Sequence, residues 1–167
     1  MFAATDVAAI LKESGWLGGE PDEKQMTWCA RAVTFLGPQV TDRSGLANLL
    51  GLVFQYDARS ILQGIDAHVV MSRYAARGVL RQLALQLLGS APLTSERFSE
   101  IITQMKEGLD IRGRELFHPI RLALAGRSGE GDLDRVILLL DDAAAADFAV
   151  PVKTARERIL EFCSVFQ

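Results

Sequence analysis

Apolar residues recur at three- and four-residue spacing along almost the whole chain, and no run alternates apolar with polar between hairpin turns. A chain written in this one period has helix stripes to bury and no sheet faces to cover. It is predicted to be all-α, a multi-helical bundle. At 167 residues, 49% of them apolar and 23% charged, it can bury a sizeable core without disulfide staples. We read residues 1–167 as a single helical domain, with a division into subdomains 1–65 and 66–167 as the alternative.

Local punctuation places the helices. Thr5 is the expected N-cap of a first helix that stops at Ser14 and Gly15. Asp22 caps a second helix ending at Gly37 and Pro38, a third starts near Thr41 and Asp42, and a short one covers Asp57 to Ile65. From Asp66 the stripe Val70, Tyr74, Leu80, Leu83, Leu87 predicts the longest helix, ended by Gly89 and Pro92. Thr94 caps the next, which Gly108 closes. Pro119 is expected in the first turn of a helix stopped by Gly126. Asp132 is the expected N-cap of LDRVILLL, and Pro151 is expected to open a last helix.

Catalytic constellations are missing. The two histidines, His68 and His118, stand fifty positions apart without a carboxylate or cysteine at ligand spacing, so no metal site is expected and both read as structural. There is no phosphate-cradling G-x-x-x-x-G-K-[ST] loop and no G-x-S-x-G elbow. No cofactor is expected in this chain. Cys29 and Cys163 sit among apolar residues and read as buried thiols of a reducing compartment. The amino terminus has no basic region ahead of its apolar residues, and no apolar run approaches the ~20 residues of a membrane span. We expect a cytoplasmic protein.

Net charge is −3, which disfavours indiscriminate binding to a polyanion, but the charge is unevenly spread. Residues 71–130 hold nine Lys and Arg against six Asp and Glu, whereas both flanks are acidic. The basic middle is therefore where an RNA contact would lie. Arg73, Arg77 and Arg81 recur every four residues, as either a phosphate-contacting edge or a solvated helix face paired to neighbouring acids. Arg112, Arg114, Arg121 and Arg127 form a second cluster with Glu115 as the one internal counter-charge. Trp16, Trp28, Phe98, Phe117 and Leu133 could serve as stacking surfaces for unpaired bases, but their helical spacing favours core packing.

The segment from Gly108 to Leu140, GLDIRGRELFHPIRLALAGRSGEGDLDRVILLL, resembles the carboxy-terminal helical domain of bacterial glutamyl-tRNA synthetases. Gly113, Arg114, Leu116, Phe117, Pro119, Arg121, Ala123, Leu124 and Gly126 fall on that family's pattern. The upstream stretch KQMTWCARAVTFLGPQVTDRSGLANLLGLVFQYD is similar in order and spacing, so the likeness spans nearly the whole chain. Three positions depart from the pattern: Ala125 replaces a frequent Thr, Gly131 a usual Pro, and Asp141 a helix-closing Gly.

The resemblance implies a module that grips the anticodon loop of a glutamate-accepting tRNA. The ligase chemistry would lie in a nucleotide-binding domain absent here, since neither the HIGH-type nor the KMSKS-type signature of class I synthetases occurs. This chain therefore carries no ATP or glutamate site, and a parent protein would be a glutamate-tRNA ligase. Matched by position, the anticodon reader is Glu130, Gly131, Asp132 and Leu133, joined by Arg114, Arg121 and Arg127, with Arg43 as an upstream base contact. Arg73, Arg77 and Arg81 are the expected phosphate contacts. The alternative is a non-catalytic interaction module that kept the fold, lost tRNA, and binds a protein partner or a second copy of itself.

Overall fold

The computed structural model describes residues 1–89 and 91–166. Among them lie eleven α-helices and no strand: α1 (Ala4–Glu13), α2 (Glu23–Leu36), α3 (Arg43–Phe54), α4 (Ala58–Leu62), α5 (Ile65–Met71), α6 (Ala76–Gln86), α7 (Ser95–Leu109), α8 (Arg114–Ala125), α9 (Asp132–Ile137), α10 (Leu140–Ala145) and α11 (Ala155–Phe166). A 3-10 turn, Gly37–Gln39, follows α2. Cap chemistry fixes several starts where sequence placed them. Asp22, Asp42 and Thr94 each accept a hydrogen bond from a backbone N–H three residues on, and Asp57 accepts one from Arg59.

One apolar cluster runs from Val7 to Phe162. Its central element is α8, which buries every residue from Pro119 to Ala125 and packs against α5, α6, α9 and α11. Toward the other end, α1 lies on α2, and an aromatic cluster locks three chain regions together. Trp16 stacks on Phe54 at 5.0 Å between ring centroids, and Trp28 and Phe148 meet Phe54 edge-on at 5.5 and 5.1 Å. The Trp28 indole N–H donates to the Leu139 carbonyl at 3.0 Å. Trp16, Trp28 and Phe98 are thus core residues.

Several boundaries differ from expectation, each for a physical reason. The helix expected from Asp66 is two helices, and the longest is α7. Val70 and Ala67 face the core in α5, but in α6 the buried set is Ala76, Val79, Leu80 and Leu83, which a continuous helix through Val70 could not keep in phase. The turn at 72–75 resets the register and leaves Tyr74 fully exposed. Pro119 lies inside α8 and not in its first turn. Its missing N–H would have bonded the carbonyl of Glu115, an exposed residue of the first turn, where water can take the acceptor. The left-handed residue closing α7 is Asp110 and not Gly108, and LDRVILLL breaks at Leu138 into α9 and α10. At the starts, α1 is entered from Ala3 instead of Thr5, and α9 from Gly131 instead of Asp132. The last helix starts four residues beyond Pro151, where Thr154 and Glu157 bond each other's backbone N–H groups as a capping box.

Arg158 in α11 is 0% exposed and has no carboxylate partner among the described residues. Its guanidinium donates instead to four backbone carbonyls: Lys153 at 2.9 Å, Leu52 at 2.8 Å, Leu124 at 3.0 Å and Val53 at 2.5 Å. Leu52, Val53 and Leu124 lie in the last turns of α3 and α8, whose carbonyls have no partner within their own helix. The same group lies over the Tyr56 ring at 4.6 Å, and the Tyr56 hydroxyl donates to Ala123. Burial pulls Arg158 down to about 10, so it stays charged at neutral pH. Arg158→Met is expected to lower stability by about 2–5 kcal/mol, because it leaves several buried carbonyls without donors. Arg158→Lys should recover only part of this, lacking the planar fork. A urea midpoint unchanged in the Met variant would contradict this role.

Candidate nucleic-acid interface

Two glycines frame α8. Gly113 enters it at φ 65° and ψ −143°, and Gly126 leaves it at φ 84°, both conformations that side chains resist. Between them the helix presents Arg114, His118 and Arg121 at four- and three-residue spacing. The loop that follows, 127–131, is tied down at two points. Ser128 donates from its backbone N–H and its hydroxyl to the two Asp66 carboxylate oxygens, at 2.9 and 2.6 Å. The Arg121 guanidinium donates to the Gly129 carbonyl at 2.9 Å.

Arg121 is 9% exposed and is committed inward. It makes a two-pronged ion pair with Asp134 of α9, at 2.9 and 3.1 Å, and lies over the Phe117 ring at 4.6 Å. This clasp joins α8, the loop and α9, so Arg121 shapes the candidate site from beneath. Leu133 is likewise interior, at 3% exposure. By contrast Arg114, Arg127, Glu130 and Gly131 are exposed, and Asp132 is half-buried. Among the described residues neither Arg114 nor Arg127 has an ion-pair partner.

The turn between α5 and α6 brings in Arg73, whose guanidinium lies 3.0 Å from His118 Nδ1. Burial, then the charges of Arg73, Arg114 and Arg121, hold His118 below the ordinary imidazole value, with Glu130 opposing. Arg73, Arg114, Arg121 and Glu130 therefore surround one imidazole held toward its neutral form, with Asp66 beside Arg73 and Asp134 paired to Arg121 offsetting part of the positive charge. Arg77 and Arg81 do not join it. They line the side of α6 that faces α11, and Arg77 lies over Phe166 at 4.7 Å. Arg43 stands at the start of α3 and pairs with Glu13 of α1 at 2.9 Å.

The sequence reading missed Asp66, Asp134 and the role of His118. Asp66 and Asp134 act across 62 and 13 residues, beyond any local pattern. His118 carried one usable signal, its position one turn from both Arg114 and Arg121 on the same helix face.

Two outcomes follow from this geometry. An NMR titration of His118 should give a midpoint below 6.5, rising in Arg73→Gln, and a midpoint at or above 6.5 in the parent protein would refute the cationic surround. Because the folded value is depressed, the neutral form favours the fold. That contribution is complete above an unfolded value of roughly 6.5 and is lost as pH falls through the folded value. Separately, Asp134→Ala should speed amide exchange across 127–133, with α1 and α2 unaffected.

The family model described as the anticodon binding domain matches residues 5–144. Among curated proteins the chain is similar to the glutamate–tRNA ligase of Exiguobacterium sibiricum, at 25% identity over 131 residues, covering 78% of this chain and 27% of the relative. It is 26% identical over 131 residues to glutamate–tRNA ligase 2 of Syntrophus aciditrophicus, covering 78% and 26%. With the glutamate–tRNA ligase of Desulforudis audaxviator the identity is 28% over 137 residues, covering 80% and 27%. The chain thus spans about a quarter of the length of these relatives. No solved structure matches it. With an all-helical architecture and a family match over residues 5–144, this chain belongs to the anticodon binding domain family found in glutamate–tRNA ligases.

Proposed function

We propose that the chain binds the anticodon arm of a glutamate-accepting tRNA, in the cytoplasm and without a cofactor of its own, using the outer edge of α8 and the loop 127–131. The observation that carries this reading is the combination of two exposed arginines without an ion-pair partner among the described residues, Arg114 and Arg127, with a loop whose backbone is held in place by Asp66 and Arg121. Unpaired bases are read by preset hydrogen-bonding groups, and a pinned loop presents Glu130 and Gly131 at little ordering cost. The arginines supply phosphate contacts, and Arg73 extends the positive surface along the same side. Arg43 is a further candidate contact from the start of α3, available once its exposed pair with Glu13 opens.

Binding of the purified chain to glutamate tRNA and to an unrelated tRNA, at low and moderate salt, tests this. Preference for the glutamate tRNA should survive added salt. As phosphate contacts, Arg114→Ala and Arg127→Ala should each weaken binding to both tRNAs about equally and reduce its salt dependence, without changing the melting temperature. Arg121→Ala should weaken binding and lower the melting temperature together, since it breaks the Asp134 clasp. Equal affinity for both tRNAs, or no binding at low salt, would reject the proposal.

A further inference from the structure

On the opposite side of α6 a different surface stands open. One face of that helix, Arg77, Arg81, Ala84, Leu85 and then Leu88, runs along a depression of about 240 Å³ whose other wall is Cys163 and Phe166 of α11. Arg77 and Phe166 also border a second depression of about 490 Å³, toward Leu62, Met71 and Arg59. The two lie side by side over the end of α11, with the stacked Arg77 and Phe166 as their common wall, and together form the trough. Its apolar side chains are not satisfied by the fold, since Leu85 is 55% exposed and Leu88 51%. A helix stripe left this way in an otherwise well-filled core marks a contact surface.

The charge around the trough is one-signed. Among the described residues Arg59, Arg77 and Arg81 line it, no carboxylate does, and none of the three has an ion-pair partner. This holds in a chain of net charge −3. The acids of α11 and of the start of α4 are engaged elsewhere: Glu161 pairs with Lys153 and accepts from the Ala58 N–H, Glu157 caps α11, and Asp57 caps α4. The geometry points to a docking site for an acidic amphipathic helix of a partner protein, its apolar ridge seated on Leu85, Leu88 and Phe166 and its Asp and Glu residues meeting Arg59, Arg77 and Arg81. The open face from Arg77 to Leu88 spans roughly 17 Å, which matches about three turns of such a helix. RNA fits less well, because phosphates would meet the arginines and leave the leucines uncovered. This surface is separate from the α8 edge, and the inference stands whether or not tRNA binds there.

The test is a display selection on the full chain from a library of amphipathic helical peptides of about fifteen residues, with affinities then read by fluorescence anisotropy. Selected peptides should carry apolar residues at i, i+3 or i+4, and i+7, with net negative charge. Leu88→Glu, and separately Arg77→Glu with Arg81→Glu, should weaken them by at least about tenfold while leaving tRNA affinity and the melting temperature unchanged. Enrichment of nothing, of uncharged or basic peptides, or of peptides indifferent to both variants would overturn the proposal. So would a loss of tRNA binding in these variants with peptide affinity retained, which would make the trough a nucleic-acid surface. Concentration-dependent dimerisation abolished by Leu88→Glu would assign it to a second copy of the chain and overturn it as well.

Discussion

The fold depends on a buried cation held by backbone. Arg158 bonds carbonyls in the last turns of α3 and α8 at once, and does so from the first turn of α11, so two helix ends and the start of a third meet on one side chain. Helix C-termini carry partial negative charge, and a guanidinium placed where two of them converge meets donor-poor carbonyls and favourable dipoles together. Among the described residues no acid pairs with it directly, while the charges of Glu161, Asp141 and Glu157 favour its cationic form. Tyr56 completes the arrangement by covering the guanidinium face and bonding the carbonyl of Ala123. Asp141 acts in the same region, accepting from the backbone N–H groups of Leu93 and Ala155. This gives the departure from the family pattern at that position a structural purpose. Phe148 and Arg158 lie beyond the residues matched by the family model, yet both belong to the core.

Arginine serves two unlike ends in this chain. Arg121 and Arg158 are interior: one clasps Asp134 and the loop before α9, the other ties helix ends. Arg114 and Arg127 are outside, close in sequence to Arg121 and chemically identical to it, but open to solvent. The interior pair gives the exposed pair a fixed stage, since a loop that accepts from Arg121 and donates to Asp66 cannot drift far. Around His118 the result is a convergence of three arginines, Arg73, Arg114 and Arg121, with Asp66, Glu130 and Asp134 set among them.

Legibility in the sequence followed the range of the interaction responsible. The helical class, the caps at Asp22, Asp42, Asp57 and Thr94, and the stop at Gly126 were all readable, because each rests on contacts within a few residues. The family pattern from Gly113 to Gly126 was readable for the same reason. Features set by distant partners were not. Nothing near Arg158 announces that Leu52 and Leu124 await it, and nothing near Arg121 tells that Asp134 draws it inside. The register break at 72–75 was hidden too, since it contains neither Gly nor Pro and is dictated by how α5 and α6 each meet α8. Tyr74 looked like part of the apolar stripe because the stripe was drawn through a helix that ends at Met71.

That register break also decides how many molecules the chain can hold at one time. Had α5 and α6 formed one straight rod, Arg73, Arg77 and Arg81 would have made a single cationic edge, for which all ligands compete. The turn sends Arg73 toward His118 on α8 and leaves Arg77 and Arg81 facing α11. Two surfaces then stand apart on one fold, and occupation of the first does not cover the second. On the two proposals made above, a partner tethered on the α11 side would sit at high local concentration beside anything held along α8.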